Sequence, residues 1–184
     1  KFRSACSRDL LAVNWQNLIM THLQEKKHKG VLTGSAITDL QITLMAGKAH
    51  NKHTEGGDFR QATYRAVRQG LKSGISRLLE PYYRFSLVLD SDNLSKAMFD
   101  LETRKCSIEV KPLENGSMEI SGRGPVRLLM NYQNEVNAYT RGNGRFFCQV
   151  DGYDDCVNPA EVIEERGYDS ELDRYNPTGS VFCV

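Results

Sequence analysis

Residues 30–85 read GVLTGSAITDLQITLMAGKAHNKHTEGGDFRQATYRAVRQGLKSGISRLLEPYYRF, and the succession of patterns inside them decides the architecture. Thr38, Leu40, Ile42 and Leu44 alternate with Asp39, Gln41 and Thr43, the period of a strand with one buried face. Gly47 breaks that strand, and the polar loop Lys48-Ala49-His50-Asn51-Lys52-His53-Thr54 follows. Gly56-Gly57 then precedes Asp58, the expected N-cap of a helix. Its inner stripe is Phe59, Thr63, Ala66, Val67 and Leu71. Arg65, Arg68 and Lys72 recur at three- and four-residue steps on another face, set either against phosphates or in water. A loop of His and Lys held between regular elements has little to give a hydrophobic core and much to give a phosphate backbone, so it reads as a probe for RNA.

Upstream, Leu11, Trp15, Leu18, Ile19 and His22 or Leu23 recur with helical spacing and predict a helix over about 9–27. Ser7 or Asp9 is the expected cap at its start, and Gly30 is expected to end it. The cations Lys26, Lys27, His28 and Lys29 at its exit have two explanations of equal weight, the helix macrodipole and RNA contact.

Downstream, Phe85, Leu87 and Leu89 alternate, and Ser91 opens a helix striped by Leu94, Ala97, Met98 and Leu101. Cys106, Ile108 and Val110 predict a second strand, Asn115-Gly116 a hairpin turn, and Met118 and Ile120 a third strand. Pro125 opens one helix carrying Val126, Leu129, Met130, Gln133 and Val136, and residues 145–150 form the last strand. The order is βαββαβ, a ferredoxin-like unit. The fold class expected is α+β with two domains: 1–80, 81–152, and a C-terminal extension at 153–184 that either packs on the second domain or is partly mobile. Gly122, Gly124, Gly142 and Gly144 read as turn glycines, since neither pair has P-loop spacing.

Charge is uneven although the net is +1. Residues 1–80 hold 13 Lys+Arg against 6 Asp+Glu (+7) and all four histidines, residues 81–145 hold 9 against 8 (+1), and residues 146–184 hold 2 against 9 (−7). A basic front suits a polyanion, and chance excess on solvated faces is the alternative. No apolar run is long enough for a membrane span, and the five cysteines (Cys6, Cys106, Cys148, Cys156, Cys183) lack metal-ligand spacing, as free thiols of a cytoplasmic protein do. The chain begins at Lys1 without Met, and we expect a piece of a larger protein.

The blocks GVLTGSAITDLQITLMAG (30–47), KAHNKHT (48–54), GGDFRQATYRAVRQGL (56–71) and LLEPYYRF (78–85) resemble the C-terminal part of elongation factor G-like translational GTPases. SGRGPVRLLMNYQNEVNAYTRGNGRF (121–146), GYDDC (152–156), NPAEVIEERGYDSELD (158–173) and NPTGSVFC (176–183) are similar to the ribosomal-protection branch, which includes tetracycline-resistance proteins. The resemblance implies a partial fourth domain of ribosomal protein S5 domain 2-like fold followed by a complete fifth domain.

It also implies partners and site residues. The loop Lys48, Ala49, His50, Asn51, Lys52, His53 and Thr54 corresponds to the tip that enters the decoding site beside 16S rRNA, with His50 at the tip histidine position, and Arg65, Arg68 and Lys72 are added as rRNA-binding cations. The fifth domain is expected to dock on the large subunit, with Arg104, Lys105, Arg123, Arg127, Arg141 and Arg145 as its cations. Catalytic, cofactor-binding and metal residues are not expected in this piece. It has no GxxxxGK[ST], and GTP and magnesium would belong to a G domain elsewhere in the parent, a monomer without membrane contact. One departure stands out: resistance proteins commonly carry Tyr-Tyr-Ser-Pro-Val in the loop where this chain has Ala49-His50-Asn51-Lys52-His53. A translocation or recycling paralogue without a drug role is therefore an alternative. From another class, a metal site at His50 and His53 with His22 or His28, or a thiol enzyme at Cys148 or Cys156 with a distant His, is the second.

Overall fold

The computed structural model describes residues 1–50 and 52–179, so the expectations that fall on Asn51 and Cys183 lie outside the described residues. The chain forms two compact units, one of residues 1–76 with 160–184 and one of residues 77–159. The acidic C-terminal segment thus belongs to the first unit, where the sequence led us to expect it on the second or partly mobile.

In the first unit, β1 (Phe2–Ser4) pairs in parallel with β2 (Ile42–Leu44). The predicted strand from Thr38 is shorter because β1 supplies three partners only, and Asp39 sits at φ 52, which breaks an extended run. Between them lies α1 (Val13–Glu25), which starts later than expected. Ser7 closes a turn ahead of it, its Oγ accepting from Asp9 N at 3.1 Å, and Ala12 stands at the N-cap without a side-chain bond. The next helix, α2 (Gly56–Ser73), is capped by Glu55 rather than Asp58. Asp58 at N3 accepts from Glu55 N at 2.9 Å, and the Glu55 side chain accepts in return, a complete capping box. Leu11, Ile19, Leu23 and Phe59 form the core, with Phe2, Trp15, Ile42, Leu44 and Val67 packed around them. Glu25 joins the two helices: it receives the Tyr64 hydroxyl, the Arg60 Nε at 3.2 Å and the buried His22 Nδ1 at 2.8 Å. The Tyr64 and His22 bonds hold its carboxyl below the usual range.

The second unit runs β3 (Leu79–Asp90), a 3-10 turn (Ser91–Asn93), α3 (Leu94–Thr103), β4 (Ser107–Pro112), β5 (Ser117–Pro125), α4 (Val126–Leu129), α5 (Tyr132–Tyr139) and β6 (Arg145–Asp155). Its antiparallel sheet has the order β4-β5-β3-β6, which is the ferredoxin-like arrangement expected, so the α+β class and both folds hold. Phe85, Leu87, Leu89 and Ile120 pack from the sheet against Ala97, Leu101, Leu129, Tyr132 and Val136. The helix expected after Pro125 is two, because Asn131 leaves helical geometry (φ −115, ψ 10) and turns Met130 to solvent. Strand β6 runs five residues past its predicted end, continuing to Asp155 across a register shift opposite Pro81, with Gly152 at φ 78. Gly122 and Gly124 are strand residues of β5, not turn residues. A Cβ on Gly122 would lie 2.3 Å from Ser107 O, and one on Gly124 2.3 Å from Cys106 Sγ. Finally α6 (Pro159–Arg166) carries the chain into the C-terminal segment of the first unit.

Candidate nucleic-acid interface

The loop between β2 and α2 is braced at its base and open at its tip. Ala49 packs on the first unit's core, while Lys48, His50, Lys52 and His53 are exposed. The turn closes on itself: His50 N donates to Thr54 Oγ1 at 2.6 Å, Thr54 N returns to His50 O at 3.1 Å, and Lys52 N donates to His50 Nδ1 at 3.3 Å. A neutral His50 whose Nδ1 accepts carries its proton on Nε2 and offers a donor there. The imidazoles of His50 and His53 stack with centroids 4.8 Å apart. Among the described residues, no carboxylate forms an ion pair with Lys48 or Lys52, and no group of three His, Cys, Asp or Glu is placed to hold a metal.

The three helix cations part company. Arg65 turns toward the loop and lines one groove with Lys48, His50, His53 and Thr54, its Nη1 donating to Gly179 O. Arg68 is 3% exposed. Its Nη1 donates to Lys29 O at 3.0 Å, and its Nη2 to the Tyr168 hydroxyl at 2.6 Å and Ser170 O at 3.4 Å. Lys72 pairs with Glu171 at 2.7 Å. Arg68 and Lys72 are therefore engaged by the C-terminal segment and are not presented with Arg65 as the sequence led us to expect. Lys26 is drawn in the same way, its Nζ over the Tyr64 ring at 4.5 Å and donating to Tyr175 O at 3.4 Å. The residues that sequence reasoning missed are Tyr168, Ser170, Glu171 and Gly179.

In the second unit the structure sorts the six candidate cations. Arg104 forks onto Glu135 at 2.6 and 2.7 Å and lies over Tyr132, Arg123 holds Asp151 and Asp154 at 2.7 and 2.5 Å, and Arg127 donates to Asn158. Lys105, Arg141 and Arg145 are exposed without an ion pair among the described residues. Burial pushes Cys106 up to about 11 and raises Cys156, which suits packing better than attack, while Cys148 is exposed.

An S5-like module with an open cationic loop, joined in sequence to a ferredoxin-like module, is a two-domain arrangement of the elongation factor G type. Residues 1–74 match the model of elongation factor G domain IV, and residues 77–162 match that of the elongation factor G C-terminus. The chain belongs to the elongation factor G family, of which it carries these two domains. It is 29% identical over 153 residues to tetracycline resistance protein TetP of Clostridium perfringens, covering 83% of this chain and 23% of that protein. It is 25% identical over 174 residues to tetracycline resistance protein TetO of Campylobacter jejuni, covering 95% and 27%. The chain thus spans about a quarter of the length of these relatives. A crystal structure of a Thermus thermophilus protein, titled ttk003000868, shares the fold with a TM-score of 0.76 at 20% identity, over 90% of this chain and 26% of that one. No helix among the described residues is long and apolar enough to cross a membrane.

Proposed function

We propose that this chain is the ribosome-contacting C-terminal region of a translational GTPase of the ribosomal-protection type, acting at the A site through the loop at 48–54. The observation that carries the reading is the loop itself: its cationic and imidazole groups are exposed, unpaired by carboxylates among the described residues, and fixed on a packed base. Such a tip works by occupying space beside rRNA and offering donors to phosphates and bases. No bond is broken by this region, and GTP with its magnesium is handled by a G domain elsewhere in the protein. Arg65 joins the loop as a contact, whereas Arg68 is buried beneath the C-terminal segment and Lys72 pairs with the exposed Glu171. Lys105, Arg141 and Arg145 are the cations the second unit offers to the large subunit.

The test is ribosome pelleting of the full-length factor with Lys48, Lys52 and His53 replaced together by Ala. Binding should weaken and its dependence on salt should flatten by about 1.4–1.8 in log–log slope for two lost phosphate contacts. Equal binding at every salt concentration overturns the reading. The loop sequence Ala49-His50-Asn51-Lys52-His53 favours a second reading, a paralogue without a drug role. Expression that leaves tetracycline susceptibility unchanged would select it.

A further inference from the structure

We infer that the C-terminal segment 168–175 is an internal stand-in for an RNA phosphate backbone, an autoinhibitory contact that keeps a second cationic face of the first unit closed until RNA displaces it. The inference rests on the proposed function only for the identity of the competing polyanion. The segment meets the exit of α1 and the last turns of α2 with acceptors set against cations. Arg68 Nη2 donates to the Tyr168 hydroxyl at 2.6 Å, and that hydroxyl donates on to Asp173 Oδ2 at 2.7 Å. The Tyr168 bond, helped by Asn176 and by Tyr175 N, holds the Asp173 carboxyl below the usual range, so its charge stays in place to attract Lys26 and Lys29. Glu171 takes Lys72 at 2.7 Å, and Tyr175 O accepts from Lys26 at 3.4 Å.

Two details mark this as an anion site already filled by the chain's own groups, and reversibly so. Arg68 is 3% exposed, yet its Nε has no hydrogen-bond partner, so one donor of the fork meets no acceptor from the segment that covers it. A hydroxyl and carbonyls satisfy that fork in part, whereas a backbone phosphate offers it paired oxygens. The hold is also weakly apolar. The Tyr168 ring lies on Gly34, where an added Cβ would meet it at 2.9 Å, but Leu172 and Tyr175 are 76% and 91% exposed. Much of the attachment is hydrogen bonds and ion pairs near the surface, which salt screens and a polyanion can replace.

The experiment measures fluorescence anisotropy of a labelled RNA duplex with the full 184-residue chain at several salt concentrations. Glu171→Gln with Asp173→Asn opens the segment and should tighten binding. The log–log salt slope should steepen by about 1.4–1.8 for two recovered phosphate contacts, so the gain at about 50 mM salt exceeds that at about 200 mM roughly seven- to twelvefold. Tyr168→Phe, which keeps the ring on Gly34 and loses the hydroxyl bridge, is the milder variant and should move binding the same way. Glu164→Gln with Glu165→Gln removes the same charge from exposed positions of α6 and should give a smaller gain. Lys72→Ala should cost more affinity in the opened variant than in the native chain, and saturating RNA should speed trypsin cleavage of the native chain at Arg174. No gain from either opening variant, an equal gain from the α6 control, or cleavage at Arg174 that RNA leaves unchanged or slows overturns the proposal. Should the opening variants bind RNA as the native chain does while the triple loop variant still loses ribosomes, the autoinhibitory contact is refuted and the loop reading stands.

Discussion

Replacing Arg68 by Ala should release the C-terminal segment from the first unit. The guanidinium donates to Lys29 O at 3.0 Å and to the Tyr168 hydroxyl at 2.6 Å, with a longer contact to Ser170 O. A hydrogen bond from a charged donor is worth about 1.5–3 kcal/mol. The return is reduced because Arg68 Nε is buried without a partner and the guanidinium has already left water. The balance is about 2–4 kcal/mol, or roughly 30- to 700-fold more of the opened segment. Trypsin at low concentration reads this population, since Arg166 and Arg174 flank the anchor at Tyr168 and cleavage follows the open fraction when reclosing is fast. Mass spectrometry should show cleavage at those two arginines accelerated by at least an order of magnitude, with far-UV circular dichroism little changed. Arg68→Lys, which keeps the charge and loses the fork, should fall between. Cleavage of Arg68→Ala at the native rate would refute the claim that this residue fastens the segment.

Two further outcomes concern the rest of the chain. Gly122→Ala should destabilise the second unit by about 2–3 kcal/mol in urea unfolding, because its Cβ would meet Ser107 O at 2.3 Å and Phe85 Cζ at 2.7 Å, while Gly57→Ala, with nothing within 4 Å, should not. Asp151 and Asp154 are held below the usual carboxylate range chiefly by the Arg123 hydrogen bonds, so their contribution is present above about pH 4 and is lost as pH falls through the lowered folded values. Urea midpoints at about pH 7, 5, 4 and 3 should therefore drop on acidification in the native chain and drop less in Arg123→Met; parallel curves would count against this pairing.

The second unit was legible because its signals are local. Alternation at Phe85, Leu87 and Leu89 and the Asn115-Gly116 turn, where Gly116 takes φ 82 and Ser117 N donates to Asn115 Oδ1 at 3.1 Å, specify elements within a few residues of themselves. What failed there depends on neighbours across the sheet. Gly122 and Gly124 looked like turn residues, yet they admit Phe85, Ser107 and Cys106 to close approach, a requirement invisible along the strand that carries them. In the first unit, the run from Thr38 alternates well enough to be a strand, but β1 offers partners only to Ile42, Thr43 and Leu44. Pattern gives the capacity to pair, and the ladder needs a second chain segment.

The site divides along the same line. Exposure of the loop followed from its composition, since Lys48, Lys52 and two histidines have no use in a core of Leu, Ile and Phe. Helical spacing put Arg65, Arg68 and Lys72 near one another but said nothing about what covers them, and the cover comes from Tyr168, Ser170 and Glu171, about a hundred residues away. The signal that points to it was present in the acidic excess of the tail, of which Glu171 takes Lys72, although Asp151 and Asp154 of the same stretch pair with Arg84 and Arg123 of the second unit. A basic helix beside an acidic segment of the same chain is therefore weak evidence for a nucleic-acid face. The loop is stronger evidence because its cations keep no acidic partner among the described residues, and that difference is why the RNA reading rests on Lys48 to Thr54 and Arg65.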